Sequence, residues 1–278
     1  MNMKLYKYQG AGNDFLIADN RDGSIVLDTE QIVSLCDRRY GVGADGLMLL
    51  GNEEGYDFRM TYYNSDGSGG MMCGNGGRCI VAFAADMGVQ SFDFIAADGP
   101  HKAEIVADKG DVKTVRLQMK DVQELVSYEN LTGVNVPSNG FFLNTGTRHY
   151  VRIVGGLETY DIVSEGRDIR YYAAELQPQG VNVNFIEQDG AILKVRTYEK
   201  GVEDETFACG TGIVASCIAA YKAGLEPSYI TGDTVNYDVK AKRDVLSVSF
   251  RPSSTGVAEE VYLTGPAVFV AEIFVNNI

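Results

Sequence analysis

Histidine and closely spaced cysteine are scarce in this chain of 278 residues. With only His101 and His149 present, a Ser-His-Asp or Cys-His-Asp triad has few places to form. The five cysteines are an odd number and none has a C-x-x-C spacing, which argues against a disulfide framework and a structural zinc site. We therefore expect a protein without bound metal in a reducing compartment.

Basic residues and long apolar runs are also in short supply. Lys and Arg number 24 against 38 Asp and Glu, for a formal charge of −14. Nucleic acids and anionic membranes require clustered basic side chains, so neither is an expected partner. No apolar run reaches about 18 residues, and the first residues lack the apolar segment of a signal peptide. These absences predict a cytoplasmic protein.

A two-fold internal repeat organises the chain at an offset of 136 residues. It aligns Cys73, Gly74, Gly76, Ala84 and Gly88 with Cys209, Gly210, Gly212, Ala220 and Gly224. A weaker match at an offset of 134 sets residues 12–17 against residues 146–151, glycine on glycine. Together with the length, the repeat predicts two domains of similar size. We place them at residues 1–120 with a returning strand at 266–278, and at residues 121–265.

Each copy of the repeat predicts a strand, a turn, a cysteine and a helix that starts at once. Apolar residues recur at i, i+3, i+4 and i+7 from Ile80 and from Val214. Gly88 and Gly224 suit the left-handed residue that ends a helix. Both helices are apolar nearly all round, which is typical of buried helices. We therefore expect an α/β (α+β) fold in which each half is a mixed sheet or barrel wrapped around a central helix.

Two further helices are predicted outside these repeats, one capped by Asp28 and Gln31 and running to about Arg39, the other at residues 168–176. Most other segments predict short strands. Those near the end are 261–263 and 267–275, and the latter is expected to return to the first domain. Three cysteines lie in apolar patterns and are predicted to be core residues: Cys36, Cys79 and Cys217.

One glycine motif and one histidine invite functional interpretations that their surroundings do not favour. Residues 41–46 match G-x-G-x-x-G, but they follow a predicted helix and precede a strand, the reverse of a dinucleotide-binding motif. His101 follows Asp98-Gly99-Pro100 and is expected in a surface turn. His149 lies on a predicted strand, where a lone histidine is more often structural than a ligand contact.

The cysteine at the start of each central helix favours acid/base chemistry. Unpaired backbone N–H groups and the helix dipole stabilise negative charge there. Two such thiols facing each other can move a proton from one face of a carbon to the other, with the sulfurs roughly 6 to 7 Å apart. Cys73 and Cys209 are the candidate pair, and this chemistry needs no cofactor. The N–H groups available to an anionic part of the substrate belong to Gly74, Asn75, Gly210 and Thr211.

Two other interpretations of the cysteine pair stay open at this point. In the first, both cysteines merely begin buried helices. In the second, the two close into a disulfide and act as a redox switch, which requires the same geometry. Only a measurement of activity separates the switch from the acid/base pair.

Several motifs make this chain resemble the diaminopimelate epimerase family over essentially its whole length. They are Gly10-Ala11-Gly12-Asn13-Asp14-Phe15, residues 36–46, residues 58–68, Met72-Cys73-Gly74-Asn75-Gly76, Asn182-Val183-x-Phe185, Tyr198-Glu199-Lys200-Gly201 and Ala208-Cys209-Gly210-Thr211-Gly212. The resemblance implies two similar α/β halves and cofactor-free interconversion of LL- and meso-2,6-diaminopimelate, for lysine and peptidoglycan precursor synthesis. The implied partner is thus a small amino-acid substrate, and assembly into a homodimer is left open.

The resemblance also implies roles for individual residues. Cys73 and Cys209 become the acid/base pair, and the helix N–H groups named above hold the reacting carboxylate. Substrate binding, mainly of the non-reacting end, falls to Asn13, Asn64, Thr147, Asn182, Glu199 and Lys200, with His149 beside the site. A racemase of the proline racemase type is the alternative enzyme, and Asn75 disfavours it because those enzymes usually have histidine after Cys-Gly.

Three positions depart from the family pattern. Gly146-Thr147-Arg148-His149 stands where Gly-Asn-Pro-His or Gly-Ser-Pro-His is common, and Lys200 stands where arginine is common. Gly46 is a lesser departure, since some members carry glutamine there. Arg148 adds charge and size, and Lys200 cannot give a carboxylate the bidentate fork of arginine. The departures concern the distal carboxylate, while the two-thiol chemistry is untouched.

Overall fold

The computed structural model describes residues 3–70, 72–254 and 256–276. The chain divides into two compact units, Met1–Gln118 with Thr264–Ile278, and Met119–Leu263. Each unit wraps strands around a buried helix, which confirms the fold class that the repeat predicts.

The helices of the first unit are α1 (Thr29–Cys36) and α2 (Gly74–Asp86). Its strands are β1 (Met3–Gly10), β2 (Asn13–Asp19), β3 (Gly46–Gly51), β4 (Phe58–Asn64), β5 (Asp93–Ala96), β6 (Gly99–Asp108), β7 (Val112–Gln118) and the second part of a long strand, β17 (Ala258–Val275). Parallel pairs join β2 to β3 and β4 to β5, while the other neighbours from β1 to β7 are antiparallel. Strand β17 pairs with both β7 and β1, so the sheet closes into a barrel without an open edge.

Helix α2 fills the interior of this barrel. Its residues from Gly74 to Ala84 are all buried, and it packs against β1, β2, β3, β6 and β7. Helix α1 lies on the other face of the sheet, where Ile32 and Leu35 join a core with Leu16 and Leu47. Because β2 is covered on both faces, it reads as an apolar run rather than as an alternating strand.

The second unit repeats this plan with α3 (Ile162–Tyr172) and α4 (Gly210–Lys222). Its strands are β8 (Leu125–Tyr128), β9 (Gly140–Asn144), β10 (Arg148–Ile153), β11 (Asn182–Asp189), β12 (Ile192–Glu199), β13 (Asp204–Thr206), β14 (Tyr229–Thr231), β15 (Thr234–Lys240), β16 (Val245–Pro252) and the first part of β17. Parallel pairs join β10 to β11 and β12 to β15. Helix α4 is buried from Gly210 to Ala220, except for Thr211, and packs against β9, β10, β11, β12 and β16.

The ends of the central helices agree with the sequence prediction. Gly88 and Gly224 follow α2 and α4 with φ of +88° and +80°, the left-handed conformation that glycine adopts without steric cost. The capping box of Asp28 and Gln31 at the start of α1 is also present. Cys36, Cys79 and Cys217 are buried, as predicted. Burial raises the pKa of Cys36 to about 11.

Four local predictions are wrong. Helix α1 ends at Cys36 rather than near Arg39, because the Asp37 carboxylate accepts from the N–H groups of Arg39 and Tyr40 and forms a turn. Helix α3 begins at Ile162, six residues before the predicted start, because Asp161 caps it through Ser164 N. Only a short 3-10 helix, Ala174–Leu176, remains of its predicted end. The two strands predicted at 261–263 and 267–275 form one strand, β17, whose second part does return to the first unit.

His101 is the fourth error. It lies in β6 rather than in a surface turn, is 8% exposed and stacks on Phe94 with ring centroids 5.2 Å apart. Its Nε2 lies 3.0 Å from an Asp98 carboxylate oxygen. His101 is therefore a structural residue of the first unit.

Candidate active site

Cys73 is the N-cap residue of α2 in the first unit. Its backbone is extended, with φ −111° and ψ 152°, and Gly76 N donates to its Sγ at 3.2 Å. The sulfur therefore lies over the first turn of the helix, where N–H groups without helical partners favour a thiolate. The side chain is neither fully buried nor fully exposed.

Asn75 and Asn13 connect this helix end to the glycine loop between β1 and β2. Asn75 is 3% exposed, and its Nδ2 donates to Asn13 Oδ1 at 2.6 Å. Asn13 Nδ2 in turn donates to Asp45 Oδ2 at 2.9 Å. Asn64 ends β4 opposite Gly46, and its Nδ2 donates to Ser68 Oγ at 3.0 Å. The structure thus brings Cys73, Asn75 and Asn13 together and places Asn64 at the end of β4, two strands from β2 in the sheet.

Ion pairs fix the loop that carries Asn13. The Asp14 carboxylate lies 2.8 Å from Lys7 Nζ and 2.5 Å from Arg38 Nη2. Burial raises the pKa of Asp14, but the hydrogen bonds from Arg38 and Lys7 outweigh it and lower the pKa below its usual value. Arg38 also bonds Asp45, which receives the Asn13 amide. Asn13 is therefore held by a charged cluster that does not depend on a ligand.

Arg78 is a fully buried cation on α2. It is 0% exposed, and its guanidinium donates to Gly74 O at 3.1 Å, Asn75 Oδ1 at 2.9 Å and Pro266 O at 3.3 Å. It therefore joins the first turn of the helix to β17 and orients the Asn75 amide toward Asn13. In the sequence, Arg78 is one of the few polar residues on an otherwise apolar helix. That pattern was the sign from which its burial could have been predicted.

Cys209 is the corresponding N-cap residue of α4 in the second unit. Its backbone is again extended, with φ −102° and ψ 108°, but no side-chain capping bond forms. Its Sγ instead lies 3.5 Å from the hydroxyl oxygen of Thr211. The main chain of Thr211 is held by Thr145, whose hydroxyl donates to Thr211 O at 2.9 Å. The two cysteines thus share a backbone position and differ in side-chain contacts.

Polar side chains lie directly under the first turn of α4. His149 is 0% exposed, and its Nε2 lies 2.8 Å from Thr147 Oγ1 and 3.0 Å from Thr211 Oγ1. Its Nδ1 lies 3.0 Å from Asn184 Nδ2. Burial lowers the pKa of His149 to about 3, so the imidazole is neutral near pH 7. His149 therefore contacts the helix end as a hydrogen-bonding group rather than as a cation.

Asn182 joins two main-chain segments at the edge of this region. Its Nδ2 donates to Arg148 O at 3.2 Å, and its Oδ1 accepts from Lys200 N at 2.9 Å. Glu199 precedes Lys200 at the end of β12 and accepts from Thr206 Oγ1 at 2.7 Å. These contacts bring the predicted residues Asn182, Glu199 and Lys200 together within the second unit.

The two cationic departures from the family pattern both bind Gln179. Arg148 Nη1 donates to Gln179 Oε1 at 2.5 Å, and its guanidinium lies over the Phe142 ring, 5.0 Å from the centroid. Lys200 Nζ donates to Gln179 O at 2.7 Å. Arg148 and Lys200 therefore hold the same loop residue.

Sequence analysis missed Asn184 and Thr197. Both are buried polar residues that face each other across β11 and β12, and Thr197 Oγ1 donates to Asn184 Oδ1 at 2.9 Å. Asn184 alternates with the core residues Val183 and Phe185, so it shares a strand face with Asn182. That two-residue spacing was a usable sign that this face of the strand is polar.

Residues 3–70, 72–254 and 256–276 contain no group of three or more His, Cys, Asp or Glu side chains that could hold a metal ion. None of the helices in that part of the chain is long and apolar enough to cross a membrane.

Comparisons with solved structures concern the fold. A Bacillus anthracis phenazine biosynthesis protein of the PhzF family matches with a TM-score of 0.74 at 16% identity over 100% of both chains. A probable proline racemase from Agrobacterium radiobacter K84 matches with a TM-score of 0.67 at 16% identity, over 99% of this chain and 93% of that one. The architecture is therefore one that known two-domain proteins share.

Comparisons of sequence are more specific. The family model for diaminopimelate epimerase matches residues 5–124 and 141–270. A diaminopimelate epimerase of Flavobacterium psychrophilum is 44% identical over 97% of this chain and 99% of its own length. One from Chlorobaculum tepidum is 41% identical over 93% of this chain and 95% of its own. A cysteine caps the central helix of each unit, and the family model and the relatives match the sequence of both units. The chain therefore belongs to the diaminopimelate epimerase family.

Proposed function

We propose that this protein is a cofactor-independent epimerase that interconverts LL- and meso-2,6-diaminopimelate. The observation that carries the proposal is that Cys73 and Cys209 occupy the same place in the two units, each as the N-cap of a buried central helix. The family match and the relatives that bear this name support the choice of substrate.

In the proposed reaction, one cysteine thiolate removes the proton from an α-carbon of the substrate. The other cysteine, as a thiol, delivers a proton to the opposite face, so the configuration inverts and the two sulfurs exchange protonation states. Main-chain N–H groups at the helix ends bind the carboxylate on that carbon and stabilise the charge that develops as the proton leaves. They belong to Gly74 and Asn75 on one helix and to Gly210 and Thr211 on the other.

The remaining substrate contacts are proposed for polar residues beside the two helix ends. Asn13 and Asn64 serve in the first unit, and Thr147, Asn182, Glu199 and Lys200 in the second. His149 serves as a support beneath them, because burial keeps it neutral. Both thiols must stay reduced to work, which suits the cytoplasm and a role in supplying lysine and peptidoglycan precursors.

Isotope exchange tests the proposal directly. The protein is incubated with LL-diaminopimelate in deuterated water without pyridoxal phosphate. We expect deuterium at one α-carbon and formation of the meso isomer. Exchange with proline but not with diaminopimelate would support the racemase alternative. If neither these two nor other amino acids exchange, the acid/base proposal fails and a redox role of the cysteine pair takes its place.

A second test concerns the distal end of the substrate. If Lys200 binds the distal carboxylate, Lys200→Arg supplies a bidentate donor and should lower KM for diaminopimelate about threefold to tenfold, with little change in kcat. Lys194→Arg is the matched control, because Lys194 pairs with Asp189 at the other end of β12. An unchanged KM in Lys200→Arg would remove Lys200 from substrate recognition without affecting the two-thiol proposal.

A further inference from the structure

The polar side chains under Cys209 form a series of hydrogen bonds in which donors and acceptors can be assigned, beginning with Asn184. The Asn184 side chain is 0% exposed, and its Nδ2 lies 3.4 Å from Tyr150 O, a main-chain carbonyl that can only accept. On its other side, Thr197 Oγ1 donates to Asn184 Oδ1. The amide is therefore oriented with its NH₂ group toward Tyr150 and His149.

This orientation selects one tautomer of His149. Because Asn184 Nδ2 donates to His149 Nδ1 at 3.0 Å, Nδ1 must accept and carries no proton. The single ring proton of the neutral imidazole then resides on Nε2. That N–H group points at the hydroxyl oxygens of Thr147 and Thr211, at 2.8 Å and 3.0 Å.

The hydroxyl groups of Thr147 and Thr211 link His149 to the sulfur of Cys209. Thr147 Oγ1 and Thr211 Oγ1 are 3.0 Å apart, so a hydroxyl that accepts from His149 can donate to the other. When Thr147 accepts from His149 and donates to Thr211, the Thr211 hydroxyl keeps its own proton for Cys209 Sγ, which lies 3.5 Å from Thr211 Oγ1. All of these atoms belong to the second unit.

We propose that Thr147, His149 and Thr211 form a one-way hydrogen-bond relay, fixed by Asn184, that directs the Thr211 hydroxyl proton to Cys209 Sγ and stabilises its thiolate. The three are positioning residues, and the relay rests on the proposed acid/base role of Cys209. It gives the Thr211 side chain a function separate from that of its main-chain N–H group. It also explains why a histidine close to a candidate catalytic cysteine need not act as its base.

Tight packing keeps the relay in this geometry. A Cβ atom built on Gly212 would lie 2.4 Å from Asn184 Oδ1 and 3.2 Å from His149 Cε1. The backbone of α4 therefore rests directly on the two groups that set the direction, and no water-sized gap separates them. The groups that set the direction, Asn184 and His149, are thus closed off from solvent, whereas Thr147 is exposed and Thr211 is partly buried.

The alkylation of Cys209 by iodoacetamide tests the relay. Its rate is measured against pH by mass spectrometry of the Cys209 peptide, and the midpoint pH reports how easily the thiolate forms. Thr211→Val should raise this midpoint by about 1 pH unit, because it removes a hydrogen bond to a charged group. Thr211→Ser keeps the hydroxyl and should return the midpoint to within about 0.3 units of the parent.

Thr145→Val is the matched control for this series. It removes a threonine hydroxyl that bonds the main chain of Thr211 but lies outside the relay. We expect a midpoint close to that of the parent. A parental midpoint in Thr211→Val would overturn the relay. An equal rise in Thr145→Val and Thr211→Val would also overturn it, because the effect would then come from loosening of the helix end.

The histidine itself is tested by the double variant His149→Phe, Asn184→Met, which puts here the residue types of Phe15 and Met48, the side chains next to Gly76 in the first unit. The double variant should raise the midpoint less than Thr211→Val does. When the double change is combined with Thr211→Val, the alkylation midpoint should rise no further, because the relay acts on the sulfur only through Thr211. If the two sets of changes raised the alkylation midpoint independently and additively, His149 would not act through Thr211 and the relay would be contradicted.

Direct observation of the tautomer covers the case in which a variant does not fold. The parent protein is labelled with ¹⁵N-histidine, and its only two imidazoles are assigned by nuclear magnetic resonance. The relay requires His149 to be a neutral Nε2–H tautomer from pH 8 to pH 6. An Nδ1–H tautomer, or protonation at pH 6, would overturn it.

These outcomes are separate from those of the proposed function. If the parent catalyses no deuterium exchange but the alkylation series behaves as expected, the relay holds and the epimerase proposal fails. If exchange is normal but Thr211→Val leaves the alkylation midpoint unchanged, the relay alone fails.

Discussion

The two central helices begin in the same way but rest on different side chains. Under the first turn of α2, a Cβ atom on Gly76 would lie 3.6 Å from both Phe15 and Met48. Under the first turn of α4, the same atom on Gly212 would meet His149 and Asn184. The weaker alignment at an offset of 134 already sets Phe15 against His149. One unit thus supports its helix end with an apolar surface and the other with a hydrogen-bonded one.

The connection from helix to glycine loop shows the same kind of difference. Asn75 bonds Asn13 through side-chain amides, whereas the corresponding Thr211 bonds Thr147 through hydroxyls. A buried guanidinium, that of Arg78, serves the first helix end, and a buried neutral imidazole serves the second. The repeat has therefore kept the backbone frame and the cysteine and changed the groups around each sulfur. The two thiols therefore have different surroundings, which suits the proposed reaction on two faces of one carbon.

The largest expected effect is the loss of epimerisation activity when either cysteine is replaced. Cys73→Ala and Cys209→Ala should each lower the rate of epimerisation by about 1,000-fold or more, because each removes one of two acid/base groups. The conversion of LL- to meso-diaminopimelate measures the rate, and circular dichroism checks the fold. If either variant inverted its substrate at the parent's rate, the cysteines would not be the proposed pair.

The next largest effect concerns the buried cation of the first unit. Arg78→Met should lower the free energy of unfolding by about 3 kcal/mol, because it leaves the buried acceptors of Gly74 and Asn75 and the partly buried carbonyl of Pro266 without this donor. Urea denaturation gives this free energy. Arg39→Met, on an exposed arginine of the same unit, should change it by less than about 0.5 kcal/mol. Equal effects in the two variants would show that the Arg78 contacts contribute little to stability.

Matched glycine substitutions compare the two helix ends directly. Gly212→Ala should lower the free energy of unfolding by about 2 kcal/mol, because the new Cβ atom would clash with Asn184 Oδ1. Gly76→Ala should stay within about 0.5 kcal/mol of the parent, since the closer contact with Cys73 Sγ is offset by the higher helix propensity of alanine. Urea denaturation of both variants measures the difference, and the reverse order would contradict the close packing under α4.

The smallest expected effect is the pH dependence of stability that His149 contributes in the second unit. Burial lowers the pKa of His149 from 6.5 to about 3, so between these values the unfolded chain binds a proton that the folded chain does not. Stability must therefore fall as the pH falls through this window, by about 0.7 kcal/mol from pH 7 to pH 6.

Urea denaturation at the two pH values measures this slope. The double variant His149→Phe, Asn184→Met should lack this part of the slope, because phenylalanine does not titrate. An identical slope in parent and variant would show that His149 is charged, or exposed to water, in the folded protein.

Much of the frame was predictable because local patterns determine it. The apolar periodicity from Ile80 and from Val214 gave the two central helices, and Asp28 with Gln31 gave the start of α1. These signals depend on neighbours in sequence. The start of α3 was missed because the helix is mostly polar and buries only Ile162, Gly166 and Ile169, so its apolar face is narrow.

The groups around each sulfur were harder to predict because they come together from distant segments. His149, Asn184 and Thr197 lie on three different strands, and only strand register shows that they share a face. Arg78 looked like the polar side of a helix, although its partners, among them Pro266, bury it completely. Roles that depend on burial cannot be taken from residue type, since the same arginine on a surface would be a solvated charge.

Strand β17 has a consequence for the order in which the protein is made. The first barrel closes only when residues 264–275 pair with β1 and β7. A ribosome adds about 5 to 20 residues per second. Roughly 8 to 30 s therefore pass between the synthesis of Gln118 and that of the part of β17 that closes the barrel. During that interval β1 and β7 are unpaired edges beside an apolar helix. Unpaired strand edges can pair with other chains, so the first unit is open to misassembly until residues 264–275 have been made.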